Sequence, residues 1–362
     1  MTPHVGSTTS WMRAAAISVL AISTLAGCPA PRGPVAAPPS PSSHSGPDVF
    51  DALQSNVWYL PTADGKAELY VTELGRGPTV IVLHGGPGND FNYLVDALRP
   101  YLNRYHFVLF DQRGSLLSPV APDQVATITV AKLVDDLESL REALGEPRVV
   151  LFGHSWGTFL ATAYYRAHPE RVAGIVLAAS APPQSREGAS FLDEIKAAHA
   201  RMAELRQRSE VTAVLEAAGV AGDAATRSPK ARRTAIRIRE MASTNLWHVE
   251  RWRELQGGGV YFNPAVEDAI GDSIPMTYDT LEVLLAHPVP ITVLAGDHDY
   301  LDPGATTWRA LVPRAPAIEV DVIPGAGHYS WIDNPDAFHH ALERGLARAT
   351  GAAGPAPPTR SP

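Results

Sequence analysis

The chain has 362 residues, 45% hydrophobic and 19% charged, which describes a folded globule with room for one large α/β domain and an insertion. Its net charge of -8 argues against nucleic acid as the partner, because phosphate binding wants a basic face. The single cysteine removes any disulfide framework and any thiolate zinc site, and nothing in the pattern calls for a cofactor or a metal.

Residues 1–28 read as an export signal. Arg13 supplies a positive charge, and Ala14 to Ile22 form an apolar core shorter than the roughly 20 residues of a spanning helix. The segment ends in Leu25-Ala26-Gly27-Cys28, which resembles a bacterial lipoprotein signal. That resemblance implies lipidation of Cys28 and an exported, membrane-anchored protein on the periplasmic or cell-surface side. An ordinary secretory signal with a chance cysteine is the competing reading. Residues 29–47 are rich in Pro and Ser and suit a stiff tether between an anchor and a domain.

From residue 48 to 182 strand-like and helix-like runs alternate. Val57–Leu60 and Ala67–Val71 suggest a hairpin around Asp64-Gly65. Pro78–Leu83 reads as a buried strand, followed by a helix near Tyr93–Leu102 and a strand at Tyr105–Phe110. A helix over Val130–Leu144 places Leu133, Leu137, Leu140 and Leu144 on one face. Arg148–Phe152 is the next strand, Thr158–Tyr165 the next helix, and Val172–Leu177 the strand after it. This alternation predicts an α/β fold with a mostly parallel sheet and helices on both faces. Residues 183–286 carry charged helical runs and no clear buried strand, which predicts a helical cap over the carboxyl ends of the strands. Strands return at Val289–Leu294 and Ile318–Ile323 in a second core segment, 287–350, and a Pro/Ala-rich tail, 351–362, follows.

The chemistry gathers where strands end. Gly153-His154-Ser155-Trp156-Gly157 is a G-x-S-x-G between a strand and a helix, the context of a nucleophile elbow. A serine hydroxyl needs a base beside it, and the order Ser155, Asp299, His328 fits the α/β-hydrolase arrangement. His328 follows the last strand in Gly325-Ala326-Gly327-His328. Asp299 lies three residues after Gly296, with Asp297 and Asp302 as competitors; Asp297, His298, Asp299 and Asp302 also admit a hard-metal reading. The loop His84-Gly85-Gly86-Pro87-Gly88 directly follows a strand. Its Gly86 N–H, with that of Trp156, would form the oxyanion hole.

His84–Gly88 (HGGPG), Asp111-Gln112-Arg113-Gly114 (DQRG) and Gly153–Gly157 (GHSWG) together resemble proline iminopeptidases. The resemblance implies an α/β-hydrolase serine aminopeptidase that releases an N-terminal residue, preferably proline, from short peptides or amino acid amides. It implies Ser155 as nucleophile, Asp299 and His328 as its partners, and Gly86 and Trp156 as oxyanion donors. An esterase or lactonase, or a binding lipoprotein without activity, are the other readings. The stretch after DQRG, Gly114-Ser115-Leu116-Leu117-Ser118, lacks a second glycine common in the family. An aminopeptidase also needs carboxylates for the substrate ammonium. Glu250 and Glu254, beside Trp247, are the candidates by composition, with a solvated helix face as the alternative. Tyr261, Phe262 and Asn263 are either pocket lining or core packing.

Overall fold

The apolar runs pair into strands in a computed structural model that describes residues 56–185, 191–255 and 262–352. The strands are β1 (Val57–Pro61), β2 (Glu68–Gly75), β3 (Thr79–Leu83), β4 (His106–Phe110), β5 (Val149–His154), β6 (Val172–Ala178), β7 (Gln184–Ser185), β8 (Tyr278–Asp279), β9 (Ile291–Gly296) and β10 (Ile318–Ile323). Eight of them make one sheet in the order β1-β2-β4-β3-β5-β6-β9-β10. Only β2 runs against its neighbours; every pairing from β4 to β10 is parallel.

Side-chain alternation sorts the core onto the two faces of this sheet. Val80, Val82, Phe107, Leu109, Val150 and Phe152 face one cluster, closed by Phe338, Leu342 and Leu346 of the Pro335–Thr350 helix. Ile81, Leu83, Val108, Phe110, Val149 and Leu151 face the other, closed by the Val130–Ala143 and Trp156–Ala167 helices. A strand covered on both sides is apolar at every position, which is why these runs were continuous in the sequence. Local signals fix the helix starts. Thr129 accepts the Lys132 N–H through its hydroxyl, and Ser228 accepts that of Ala231 ahead of Pro229.

Between β6 and β9 lie helices Phe191–Arg206, Ser209–Ala217, Pro229–Ile236, Pro264–Asp272 and Thr280–Ala286. The insertion also contains the antiparallel pair β7–β8, which joins its two ends through Gln184 and Asp279. These two-residue strands were not legible as strands, since neither carries an apolar run. Among the described residues no helix is long and apolar enough to cross a membrane. Cys28, the linker, Tyr261 and most of the 351–362 tail lie outside the described residues.

Candidate active site

β5 delivers Ser155 through a strained turn. Its backbone has φ 54° and ψ -123°, a region disfavoured for L residues, which costs on the order of 1–3 kcal/mol. The surroundings impose that geometry. A Cβ on Gly153 would lie 2.6 Å from the Gly157 carbonyl, and one on Gly157 would collide with the backbone of Leu83 and His84. Gly153 is therefore demanded by the first turn of the Trp156–Ala167 helix folding back on the end of β5, and Gly157 by the close approach of that helix to β3.

The last two strands carry the acid and the imidazole to the same edge. His328 Nδ1 lies 3.0 Å from Asp299 Oδ1 and 3.2 Å from Oδ2. Both side chains are buried. Asp299 Oδ1 also accepts the Leu301 N–H at 2.8 Å, so the carboxylate is held from two directions. The competing aspartates are engaged elsewhere. Asp297 accepts the N–H groups of Gly325 and Ala326, ordering the turn that leads to His328. Asp302 accepts from Thr306 and Thr307. His298 stacks on Trp247 with ring centroids 3.5 Å apart.

Tyr300, next to Asp299, was not singled out in the sequence. Its ring lies 4.3 Å from that of His328. Burial, followed by the charge of Asp299, pushes the phenol pKa up, so Tyr300 is a neutral hydroxyl at ordinary pH.

The glycine loop after β3 presses directly on the elbow. A Cβ on Gly85 would lie 2.9 Å from Ser155 Cβ and 2.7 Å from Tyr93 Oη. Gly86 has φ +49°, a left-handed conformation natural to glycine. The Gly85 N–H donates to Tyr93 Oη at 2.6 Å. Trp156 opens its helix, where first-turn N–H groups lack an intrahelical acceptor.

DQRG braces this loop from behind. Gln112 Nε2 donates to the His84 carbonyl at 2.9 Å, the Gln112 N–H donates to His84 Nε2 at 3.1 Å, and Gln112 Oε1 accepts the Trp156 indole N–H at 2.9 Å. His84 must be unprotonated to accept, and burial lowers its pKa to about 4. Asp111 accepts the Phe91 and Leu117 N–H groups, the second from the stretch that lacks the family's extra glycine. Burial raises the Asp111 carboxyl to about 7. Arg113 is buried in a two-bond pair with Asp136 and reaches Asp64 at 2.9 Å.

The inserted helices meet the same edge at four places. Arg201 donates to the carbonyls of Tyr300 and Leu301. The Tyr329 N–H donates to Asn245. Asp333 accepts the N–H groups of Gly327, Trp247 and His248. The Asn263 N–H donates to the Gly88 carbonyl at 3.0 Å, rooting the Pro264–Asp272 helix on the glycine loop.

The acids suggested by composition are not drawn into this cluster. Glu250 and Glu254 lie on a short 3-10 helix, Val249–Glu254, rather than an α-helix face. Their side chains are 63% and 51% exposed. Glu254 is held by Arg251 and Glu250 lies 3.3 Å from His248. Among the described residues neither bonds to Ser155, Tyr300 or His328, so the solvated-face alternative describes them. Trp247 lies against His298 and beneath the Arg208 guanidinium. Phe262 is 39% exposed.

Glu267 lies on the Pro264–Asp272 helix, the one rooted on the glycine loop. Burial, then the nearby charge of Asp268, pushes its carboxyl up to about 7. The sequence signal was weak, because Glu267-Asp268 reads as one more polar pair on a helix.

Comparison with known proteins agrees with this architecture. Residues 78–335 match the family described as alpha/beta hydrolase fold. A proline iminopeptidase of Xylella fastidiosa is 42% identical over 118 residues, which cover 32% of this chain and 36% of that protein. The chain thus matches about a third of the length of that curated relative. A solved proline iminopeptidase-related protein of Thermus thermophilus is 28% identical with a TM-score of 0.57, covering 82% of this chain and 99% of that one. A thermophilic esterase of Thermogutta terrifontis shares the fold at 22% identity and a TM-score of 0.54, covering 82% of this chain and 100% of that one. With its family pattern spanning most of the sheet and the insertion, the chain belongs to the alpha/beta hydrolase fold family and resembles its proline iminopeptidases.

Proposed function

We propose that this protein is a serine hydrolase that releases an N-terminal residue, preferably proline, from short peptides or amino acid amides. The observation that carries the reading is the buried Asp299–His328 pair, 3.0 Å apart, on the same sheet edge as the strained Ser155. In this reading Ser155 Oγ attacks the scissile carbonyl and its proton passes to His328 Nε2. Asp299 holds the Nδ1–H tautomer and stabilises the imidazolium. The N–H groups of Gly86 and Trp156 take the oxyanion. The leaving amine receives the proton from His328, and water then releases the acyl group by the same path in reverse.

The requirement for a free amino terminus falls to Glu267 rather than to Glu250 and Glu254. Its place on the helix rooted at the glycine loop through Asn263 and Gly88, with a carboxyl pKa raised to about 7 by burial, is what a site awaiting a cationic partner would have. The proline preference comes from the likeness to proline iminopeptidases. Purified protein should cleave prolyl or aminoacyl arylamides, with loss of activity in Ser155→Ala. Faster turnover of uncharged acyl esters than of every free-amine substrate would favour an esterase instead.

Export and tethering through lipid on Cys28 are part of the proposal. Their support is the sequence of residues 25–28 and the Pro/Ser-rich stretch that follows. Palmitate labelling lost in Cys28→Ser would test them.

A further inference from the structure

His154 is the last residue of β5 and immediately precedes Ser155. Its ring is 1% exposed. It is boxed by Tyr93, Tyr329 and Trp331, with centroids at 5.4, 5.4 and 5.0 Å, and by His328 at 4.9 Å. Within this aromatic box it makes two polar contacts. Nδ1 lies 2.8 Å from Tyr93 Oη, and Nε2 lies 3.2 Å from the backbone carbonyl of His328. Tyr93 Oη in turn accepts the Gly85 N–H at 2.6 Å.

The direction of each bond follows from what each atom can do. A carbonyl oxygen only accepts, so Nε2 carries the ring proton. Nδ1 then accepts, and the Tyr93 hydroxyl proton points at it. The tyrosine oxygen keeps a lone pair for the Gly85 N–H. One neutral tautomer of His154 satisfies all three bonds, while a protonated ring would face the Tyr93 hydroxyl without a lone pair. Burial and the neighbouring His328 push the His154 pKa well down, which keeps that tautomer populated.

We propose that His154 and Tyr93 are positioning residues that fix the separation between the His328 loop and the glycine loop on either side of Ser155. The proposal rests on the reading of Ser155, His328 and Gly86 as the hydrolytic machinery. His328 is then held at two points, its ring by Asp299 and its carbonyl by His154, so the ring cannot slide along the elbow. On the other side Tyr93 occupies the Gly85 N–H and orients the following peptide, whose N–H belongs to Gly86. Packing alone would not select this arrangement. A buried hydroxyl and imidazole are costly in an aromatic box unless every polar atom is paired, and here each is.

The test uses Tyr93→Phe, His154→Phe and the double variant. Active sites are counted by fluorophosphonate labelling, and kcat is expressed per labelled serine for one amide and one ester substrate. Misplacing a reacting group costs rate rather than affinity, so each single variant should lower kcat per labelled serine about tenfold or more with KM changed less than about twofold. Because the two residues belong to one chain of bonds, the double variant should lose little more than the worse single one. A structural role alone would lower the melting temperature and the labelled fraction and leave kcat per labelled serine unchanged, which would overturn the proposal. Multiplying losses in the double variant would overturn the linked chain. Tyr93→Phe removes a single oxygen and keeps the result readable if His154→Phe does not fold. Absence of labelling in the unaltered protein would instead overturn the functional reading, and this proposal with it.

Discussion

Gln112 and Trp156 are joined beside Ser155, the Trp156 indole N–H donating to Gln112 Oε1 at 2.9 Å while the same Gln112 amide donates to the His84 carbonyl. One side chain therefore ties the first residue after Ser155 to the strand end that feeds the glycine loop. Replacing Gln112 by leucine keeps the volume but leaves the indole N–H and the His84 carbonyl unpaired in the interior. Each such orphan costs roughly 1–3 kcal/mol. Gln112→Leu should lower the unfolding free energy measured in urea and reduce kcat on arylamides, with substrate KM little changed.

With Glu267 as the proposed partner of the substrate ammonium, the pH dependence should follow the substrate's charge. Its carboxyl is raised to about 7, so it is ionised above that pH and neutral below. A substrate ammonium stays protonated on the acid side, where the carboxylate is lost, so the pair weakens as pH falls through about 7. For free-amine substrates KM should rise on that side, and for uncharged acyl esters it should not. Glu267→Gln should raise KM for amides about tenfold, abolish that acid-side rise, and leave ester KM unchanged. Steady-state profiles on an amide and ester pair measure both.

Gly85 leaves no room for a side chain. A methyl there would press on Ser155 Cβ and Tyr93 Oη. Gly85→Ala should cut kcat by about 100-fold or more, comparable with loss of an oxyanion donor. The variant's circular dichroism spectrum should stay that of the folded protein. Unchanged kcat would show that the glycine loop does not border the reacting carbonyl.

Arg113 illustrates the other use of the DQRG residues. Its guanidinium is 3% exposed and bonds to an Asp136 carboxylate that is 2% exposed. Truncating one partner of a buried pair strands the other, at about 3–5 kcal/mol. Arg113→Met should therefore lower the denaturant midpoint strongly while kcat per labelled serine is preserved.

Much of this organisation could be read from the chain. Strands β3 to β6 are buried on both faces, so their apolar runs were visible, and tight-turn glycines at Gly153, Gly157 and Gly85 marked where backbones approach. Spacing from Gly296 favoured Asp299 but left Asp297 and Asp302 as competitors. Their distinction is three-dimensional, since Asp297 turns to the Gly325 and Ala326 amides and Asp302 to a threonine pair. The insertion was least legible. Whether an acid such as Glu267 or Glu250 faces the interior depends on how short helices dock, which local composition does not decide. Tyr93 and His154 were hidden for the same reason, 61 residues apart in sequence and joined only by the fold.

Tyr300, whose ring lies 4.3 Å from that of His328, should tune the reacting pair rather than hold the fold. Tyr300→Phe should keep the melting temperature within a few degrees and change the labelling rate constant at Ser155. An unchanged rate constant would place the hydroxyl outside the reacting group.

The most direct test of the central claim is hydrolysis of a panel of prolyl, aminoacyl and N-blocked arylamides with matched acyl esters, run on the unaltered protein and on Ser155→Ala. The account predicts turnover of free-amine substrates, prolyl highest, with N-blocked forms poor and Ser155→Ala inactive. Turnover of esters alone, or any arylamide turnover surviving in Ser155→Ala, would contradict it.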